Sequence, residues 1–181
     1  YRRGEWLTKE RAGYDLDAGA SDNHNTLTVQ NDDPGRDPDD YRQIEWLRGS
    51  QFLYVSSDPS LKARSLSDRF VYLLGDATAL YNYPEAGVTN VTHVSRSIVW
   101  LKPDHIIVYD RAATLSSNRF KKFWLNLPTN AVVTGRRATM TTTAGQQLVV
   151  TTLQPAGATP AIESNPAQPI RGDVAKGEPM T

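Results

Sequence analysis

Short clusters of β-branched and aromatic residues occur between Leu27 and Leu153, and Gly, Pro, Asn and Asp separate them. This spacing is typical of an antiparallel β protein, in which short half-buried strands alternate with tight turns. Residues 61–70 have a helix-compatible composition that serines interrupt, so a helix there is the less favoured prediction. We expect an all-β fold, an antiparallel stacked-sheet β-sandwich of the supersandwich-like type. The pattern predicts strands at residues 26–29, 41–47, 51–56, 70–74, 92–101, 105–111, 119–127, 138–143 and 147–153.

One hairpin can be assigned a register from its turn, Lys102-Pro103-Asp104. Proline presets the backbone angle of a turn, and aspartate bonds to its own backbone. Both faces of the resulting strand pair are largely apolar, so we expect other layers to cover it on both sides, with Arg96 and Asp110 as a partly buried ion pair. The predicted core residues are Ile98, Trp100, Ile106 and Val108. Centring the turn on Pro103 predicts the facing pairs Arg96–Asp110, Ser97–Tyr109, Ile98–Val108, Val99–Ile107 and Trp100–Ile106.

Two segments have the composition of irregular chain. Residues 31–40 hold five aspartates, two prolines and one glycine, which predicts a solvated loop. Residues 155–181 hold five prolines, three glycines and no aromatic residue. We therefore predict a β domain over residues 1–154 and an irregular tail or linker over residues 155–181.

Charge and cysteine content exclude several classes of function. The 181 residues carry 20 basic and 20 acidic side chains, so electrostatics favours neither nucleic acid nor an anionic membrane as a partner. Without cysteine there is no disulfide, thiolate zinc site or cysteine nucleophile. No apolar run approaches the ~18 residues of a membrane span. The chain opens at Tyr1 without an initiator methionine, so we expect a processed or cut end.

The three histidines have different surroundings. His105 lies beside the hairpin turn and His93 eight residues up the opposing strand, which separates them by roughly 26 Å at ~3.3 Å per residue. They cannot share a metal ion, and both are interpreted as structural or exposed residues. His24 lies where a polar loop enters a β-branched strand, a position from which an imidazole can reach a metal or ligand.

Three tyrosines, Tyr14, Tyr81 and Tyr83, lie in loop-like sequence. A phenol in a loop can act as an acid or base, or line a sugar-binding groove. The other aromatic residues lie mainly at strand-like positions, where core packing accounts for them.

Three blocks of sequence together resemble the C-terminal β domain of the heparinase II/III-like proteins. They are Tyr1-Arg2-Arg3-Gly4-Glu5-Trp6-Leu7 with His24-Asn25-Thr26-Leu27, then Leu74-Gly75-Asp76-Ala77-Thr78, then residues 94–111 (VSRSIVWLKPDHIIVYDR). The resemblance covers most of residues 1–154. It implies a bacterial polysaccharide lyase, periplasmic or secreted, with an N-terminal (α/α) toroid upstream of a β-sandwich.

The resemblance also implies a chemistry. Such lyases cleave uronic-acid-containing polysaccharide by β-elimination, which requires a base, an acid and a group that neutralises the uronate carboxylate. Most of these groups belong to the toroid, so we expect this chain alone to be inactive. Its expected partners are an acidic polysaccharide and its own toroid.

Individual residues carry over from the resemblance by position. His24 matches the family's HN(S/T)L histidine, which implies ligation of a structural zinc, although the family's upstream histidine ligand is absent here. Tyr14 is the candidate catalytic tyrosine, because it precedes His24 in a loop. Independently of the resemblance, the loop-like sequence around Tyr81 and Tyr83 makes them the candidate substrate-binding residues.

Two other functions remain open at this stage. One is a non-catalytic carbohydrate-binding or supporting β-sandwich, which exposed aromatic side chains on a concave face would favour. The other is a sandwich used for protein–protein contact, which a flat apolar patch would favour.

Overall fold

The computed structural model describes residues 2–10, 20–35, 48–52 and 58–163. Three short 3₁₀-helices span Ser21–Asn23, Thr78–Tyr81 and Pro84–Ala86. Within the described ranges the strands are β1 (Leu27–Val29), β2 (Ser60–Leu66), β3 (Phe70–Asp76), β4 (Val91–Leu101), β5 (His105–Thr114), β6 (Lys121–Phe123), β7 (Ala131–Thr134), β8 (Arg137–Thr141) and β9 (Gln147–Thr151).

Every pairing between these strands is antiparallel. They form a four-stranded sheet in the order β2-β3-β4-β5, a two-stranded sheet of β1 and β6, and a three-stranded sheet in the order β7-β8-β9. The predicted all-β, antiparallel, sandwich-like fold is therefore confirmed.

Strand positions differ from the prediction in two places. Residues 61–70 form most of β2, a turn and the start of β3, so the less favoured helix is wrong. Strand β7 was not predicted at all. The strand predicted at residues 41–47 lies outside the described residues, as does most of the one predicted at 51–56.

The chain divides into two compact units. The terminal unit consists of Tyr1–Gly19, Asn23–Asn25 and Trp124–Thr181, and the large unit of Ala20–Asp22 and Thr26–Phe123. The large unit contains strands β1 to β6, and the terminal unit contains β7 to β9.

The core of the large unit forms where β1 packs against the start of β4. Leu27 and Val29 of β1 contact Val91 and Val94 of β4, and the ring of Tyr81 completes the cluster. Each of these side chains is at most 6% exposed. The Tyr81 hydroxyl donates a hydrogen bond of 2.6 Å to the Leu27 carbonyl, which satisfies the phenol inside the core.

A buried amide organises the loop that precedes this core. Asn31 is 2% exposed, and its Nδ2 donates to the Tyr81 carbonyl at 2.6 Å and to Asn82 Oδ1 at 2.9 Å. Its Oδ1 accepts from the backbone N–H groups of Asp32 and Asn90. The prediction of a solvated loop is therefore wrong at Asn31, because this side chain supplies partners to four surrounding polar groups.

The register predicted for the β4–β5 hairpin is confirmed. Trp100 faces Ile106, Ile98 faces Val108 and Arg96 faces Asp110. Arg96 Nε and Nη2 donate to the two Asp110 oxygens at 2.7 and 2.8 Å, so the predicted partly buried ion pair is present and bidentate.

The burial predicted for the same hairpin is wrong. Trp100 is 39% exposed, Ile106 66% and Val108 40%, and Ile98 is half-buried. The physical reason is the length of the covering strands. Strand β1 and its partner β6 have three residues each, so β1 covers only the end of the sheet that carries Val91 and Val94.

The terminal unit contains a meander of β7, β8 and β9. Gly135 and Gly145, at φ +56° and +82°, occupy its two turns, where a left-handed backbone favours glycine. Glu5 holds the second turn, because its carboxylate accepts hydrogen bonds from the Thr142 hydroxyl and from the Ala144 N–H. The Thr142 hydroxyl bond is the main reason that the pKa of Glu5 lies below its ordinary value. Beyond Thr151, the described residues of this unit form neither helix nor strand.

Candidate functional site

The four-stranded sheet has one face that continues from the core, here called the core-side face. Side chains directly opposite in an antiparallel sheet lie on the same face, and alternate residues of a strand share a face. The register places three rows of residues on the core-side face beyond Val94 and Ala112: Leu61, Gly75, Arg96 and Asp110; Arg64, Leu73, Ile98 and Val108; and Leu66, Val71, Trp100 and Ile106.

A pocket of about 290 Å³ opens where β1 meets the core-side face. Strands β2, β3 and β4 form one wall, and β1 with Tyr81 forms the other. Its lining residues are Thr26, Leu27, Pro59, Ser60, Leu61, Gly75, Asp76, Ala77, Tyr81, Val94, Ser95 and Arg96.

Three titratable side chains line the pocket: Asp76, Tyr81 and Arg96. The Arg96 guanidinium is bound to Asp110 and also lies over the Phe123 ring, 5.3 Å from its centroid. Hydrogen bonds from the Thr78 hydroxyl and N–H lower the pKa of Asp76, and burial raises the pKa of Tyr81 above 10.0. Neither group therefore changes its protonation near neutral pH. The pocket can receive an apolar group because most of its lining surface is apolar.

Gly75 forms an open part of the pocket wall. It lies within β3, and a Cβ placed on it would have no heavy atom within 4 Å. Its backbone is not in the left-handed region, so the local conformation does not require glycine. A glycine inside a strand often marks a place where a ligand or another backbone approaches closely.

His24, the predicted metal ligand, lies between the first 3₁₀-helix and β1 and is half-buried. Its Nδ1 is 3.2 Å from Glu10 Oε2, and Glu10 Oε1 accepts a hydrogen bond of 2.7 Å from the Asn25 N–H. A structural zinc site needs four ligands. Over residues 2–10, 20–35, 48–52 and 58–163 there is no group of three His, Cys, Asp or Glu side chains placed to hold a metal ion. His24 and Glu10 alone do not close a site, so zinc ligation stays a prediction.

The other two histidines occupy different positions on the β4–β5 hairpin. His93 is half-buried and its Nε2 is 2.8 Å from Ser95 Oγ, whereas His105 is exposed next to the turn. Both positions agree with the structural and exposed roles interpreted from the sequence.

The structure describes two of the three candidate tyrosines, Tyr81 and Tyr83. Tyr14 lies outside the described residues. Tyr81 ends a short 3₁₀-helix in the connection between β3 and β4. It is 1% exposed and reaches the pocket only as part of the inner wall. Tyr83 is half-buried, with its ring 5.9 Å from that of Phe52. Their catalytic and substrate-binding roles stay predictions.

The residues that form the pocket mouth, Leu61 and Gly75, were not selected as site residues from the sequence. Leu61 lies in a stretch whose composition does not indicate a strand, so its face was unknown. The glycine that directly follows the apolar run of residues 70–74 was a usable signal, because glycine is depleted in strand interiors.

No protein-family model, curated protein or solved structure matches this chain. Among the described residues, no helix is both long and apolar enough to cross a membrane.

Proposed function

We propose that this chain is the C-terminal β-sandwich domain of a heparinase II/III-like polysaccharide lyase that cleaves uronic-acid-containing polysaccharide by β-elimination. In this proposal the base, the acid and the carboxylate-neutralising group are supplied mainly by an upstream (α/α) toroid, and the β domain supports it. The expected setting is periplasmic or extracellular in a bacterium, with an acidic polysaccharide as substrate.

One observation favours this role of the β domain. At the end next to the β4–β5 turn, the four-stranded sheet is apolar and exposed on both faces. Ile106 and Val108 lie on the core-side face, and Ile107 and Tyr109 on the opposite one, with exposures between 40% and 66%. A domain normally buries such faces against another layer. Large exposed apolar patches mark surfaces that another domain or protein covers.

The division of labour has a direct test. Residues 1–181 and the full-length gene product are incubated with heparan sulfate and with alginate, and formation of unsaturated uronate is followed by ultraviolet absorbance. We expect absorbance to rise only with the full-length protein. Cleavage by residues 1–181 alone would contradict the division of labour, and absence of cleavage by the full-length protein over a broad uronate panel would contradict the lyase proposal.

A second candidate function is non-catalytic carbohydrate binding. The observation that favours it is Trp100, which is 39% exposed with Lys102 Nζ 5.5 Å from its ring centroid. An exposed indole beside an ammonium group suits a sugar ring that carries an acidic group. Retention of residues 1–181 on immobilised heparin or alginate, lost in Trp100→Ala, is the expected result for this candidate. Equal retention of the parent and Trp100→Ala would exclude this site.

A further inference from the structure

The core-side face combines exposed aliphatic side chains with an excess of positive charge. Leu61 is 59% exposed, Leu66 67% and Ile106 66%, and Trp100 lies in the same row as Leu66 and Ile106. An exposed apolar surface of this kind, on one face of one sheet, marks an interaction site.

The charges on this face are unequal. Arg64 and Arg96 project from the rows of the core-side face, and Lys102 lies against Trp100 at its far end. Among the three rows of this face, the one acidic side chain is Asp110, which is bound to Arg96. Within its rows the face therefore carries the charges of Arg64 and Lys102 without a compensating carboxylate, while the Asp76 carboxylate lies in the pocket lining at the other end. A partner segment that faces Arg64 and Lys102 is complementary when it is acidic.

The dimensions of the face suit a single helix. Four strands spaced at ~4.8 Å make the sheet about 14 Å wide between its outer strands. The five residues from Arg96 to Trp100 span about 13 Å along β4. An α-helix is about 10–12 Å in diameter with its side chains and rises 5.4 Å per turn. The exposed rows therefore accommodate one helix of two to three turns.

The Gly75 pocket adds an anchoring position at one end of this surface. Leu61, Gly75 and Arg96 belong both to the first row of the core-side face and to the pocket lining. Binding energy at protein interfaces concentrates where a large apolar side chain fills such a pocket. Because Gly75 presents no side chain, a neighbouring backbone can approach β3 closely there.

We propose that the core-side face is a docking site for one acidic amphipathic α-helix of a partner domain, with an apolar anchor residue in the Gly75 pocket and acidic residues beside Arg64 and Lys102. The proposal rests on the supporting role proposed above, but not on lyase activity.

Two other occupants fit the surface less well. A second copy of this chain would bring two positively charged faces together, which like-charge repulsion opposes. A polysaccharide would place its hydroxyl groups against Leu61, Leu66 and Ile106, which offer them no hydrogen bonds.

The proposal is tested with two synthetic helical peptides and residues 1–181. One peptide carries Leu and a single Phe on one face and Glu on the other, and the second has Lys in place of every Glu. Fluorescence anisotropy of the labelled peptides measures affinity. We expect the acidic peptide to bind at least about tenfold more tightly than the lysine peptide, which corresponds to about 1.4 kcal/mol.

Two variants locate the binding surface. Gly75→Leu fills the pocket without meeting an atom at Cβ, and we expect it to weaken binding of the acidic peptide by about tenfold. We expect Arg64→Glu to weaken binding of the acidic peptide and to strengthen binding of the lysine peptide. Ala63→Val is the matched control, because Ala63 is exposed on the opposite face of β2, and it should leave both affinities unchanged. Circular dichroism of each variant checks that the fold is retained.

Three outcomes would overturn the proposal. The first is equal binding of the two peptides, and the second is unchanged affinity in folded Gly75→Leu. The third is that something else occupies the face. A second copy would be seen as a dimer in sedimentation that does not bind the peptide. A polysaccharide would be seen as heparin binding that Lys102→Ala abolishes, with no binding of either peptide. Failure of the lyase assay leaves these peptide measurements unaffected, so the two proposals fail separately.

Discussion

Strand β4 is buried at one end and solvent-exposed at the other, although both ends are rich in apolar residues. At its start, Val91 and Val94 are at most 3% exposed, because β1 and Tyr81 cover them. At its end, Trp100 and Leu101 are 39% and 44% exposed. The difference shows that an apolar strand defines a face to be covered, whereas the length of the neighbouring elements decides how much of it the same unit can cover.

The Arg96–Asp110 pair lies at the boundary between the two ends. Its side chains are 23% and 13% exposed, between the values at the start and at the end of β4. The cost of removing a side chain is therefore expected to fall along the sheet, from the core through this pair to the hairpin turn.

The largest effect is expected in the core. Tyr81→Ala removes a ring that is 1% exposed, together with its hydrogen bond to the Leu27 carbonyl. We expect the free energy of unfolding to decrease by about 3–5 kcal/mol. Urea denaturation measures it, and Tyr81→Phe separates the ring from the hydroxyl. A loss under about 1 kcal/mol for Tyr81→Ala would mean that the ring is not part of the core.

An intermediate effect is expected at the boundary. Asp110→Asn leaves the half-buried Arg96 guanidinium without its carboxylate, and we expect a loss of about 1–3 kcal/mol. Asp68→Asn, in the exposed β2–β3 turn, is the control, with an expected change within about 0.5 kcal/mol. Equal losses for the two variants would show that the ion pair contributes no more than an exposed carboxylate.

A smaller effect is expected at the exposed end. Trp100→Ala removes a ring that is already 39% exposed and a 3.1 Å hydrogen bond from its Nε1 to the Pro103 carbonyl. We expect a loss of about 1–2 kcal/mol in urea denaturation, clearly below that of Tyr81→Ala. Similar losses for Trp100→Ala and Tyr81→Ala would contradict the expected fall in stability cost along the sheet.

The smallest effect concerns pH. The pKa of Asp76 is below its ordinary value of 3.8, so its carboxylate stabilises the fold above that pH, and this contribution is lost as the pH falls through the folded-state pKa. The stability difference between the parent and Asp76→Asn should therefore shrink between about pH 6 and about pH 3, by under about 1 kcal/mol because solvent screens the charge. Urea titrations at the two pH values measure it. If the stability difference between the parent and Asp76→Asn grew as the pH fell, the predicted direction would be wrong.

The sequence was sufficient to predict the register of the β4–β5 hairpin, because Pro103 defines the turn and the turn defines every facing pair. It was insufficient to predict burial on the same hairpin. Ile106 is apolar whether or not a layer covers it, and the covering layer depends on the length and position of β1 and β6, which lie far away in the chain.

Two further failures have local causes. Strand β2 is exposed along all seven residues, so its sequence SLKARSL shows no alternation that would distinguish it from a helix. Asn31 begins a run rich in aspartate that resembles a solvated loop, yet its amide has partners fifty or more residues away, Tyr81, Asn82 and Asn90. No single-sequence pattern reports such distant partners, and the same limit applies to the pocket, whose walls come from β1 to β4.

The hydrogen bonds from Thr142 and Ala144 to Glu5 join residues that are 137 and 139 positions apart in the chain. When the chain is synthesised from its N-terminus, Glu5 therefore emerges long before the turn that it holds. Contacts of such high sequence separation form slowly, because a long loop must close first. The residues of the large unit are almost contiguous in sequence, so this unit is expected to fold first. The terminal unit can fold only after its C-terminal segment, which begins at Trp124, has been synthesised.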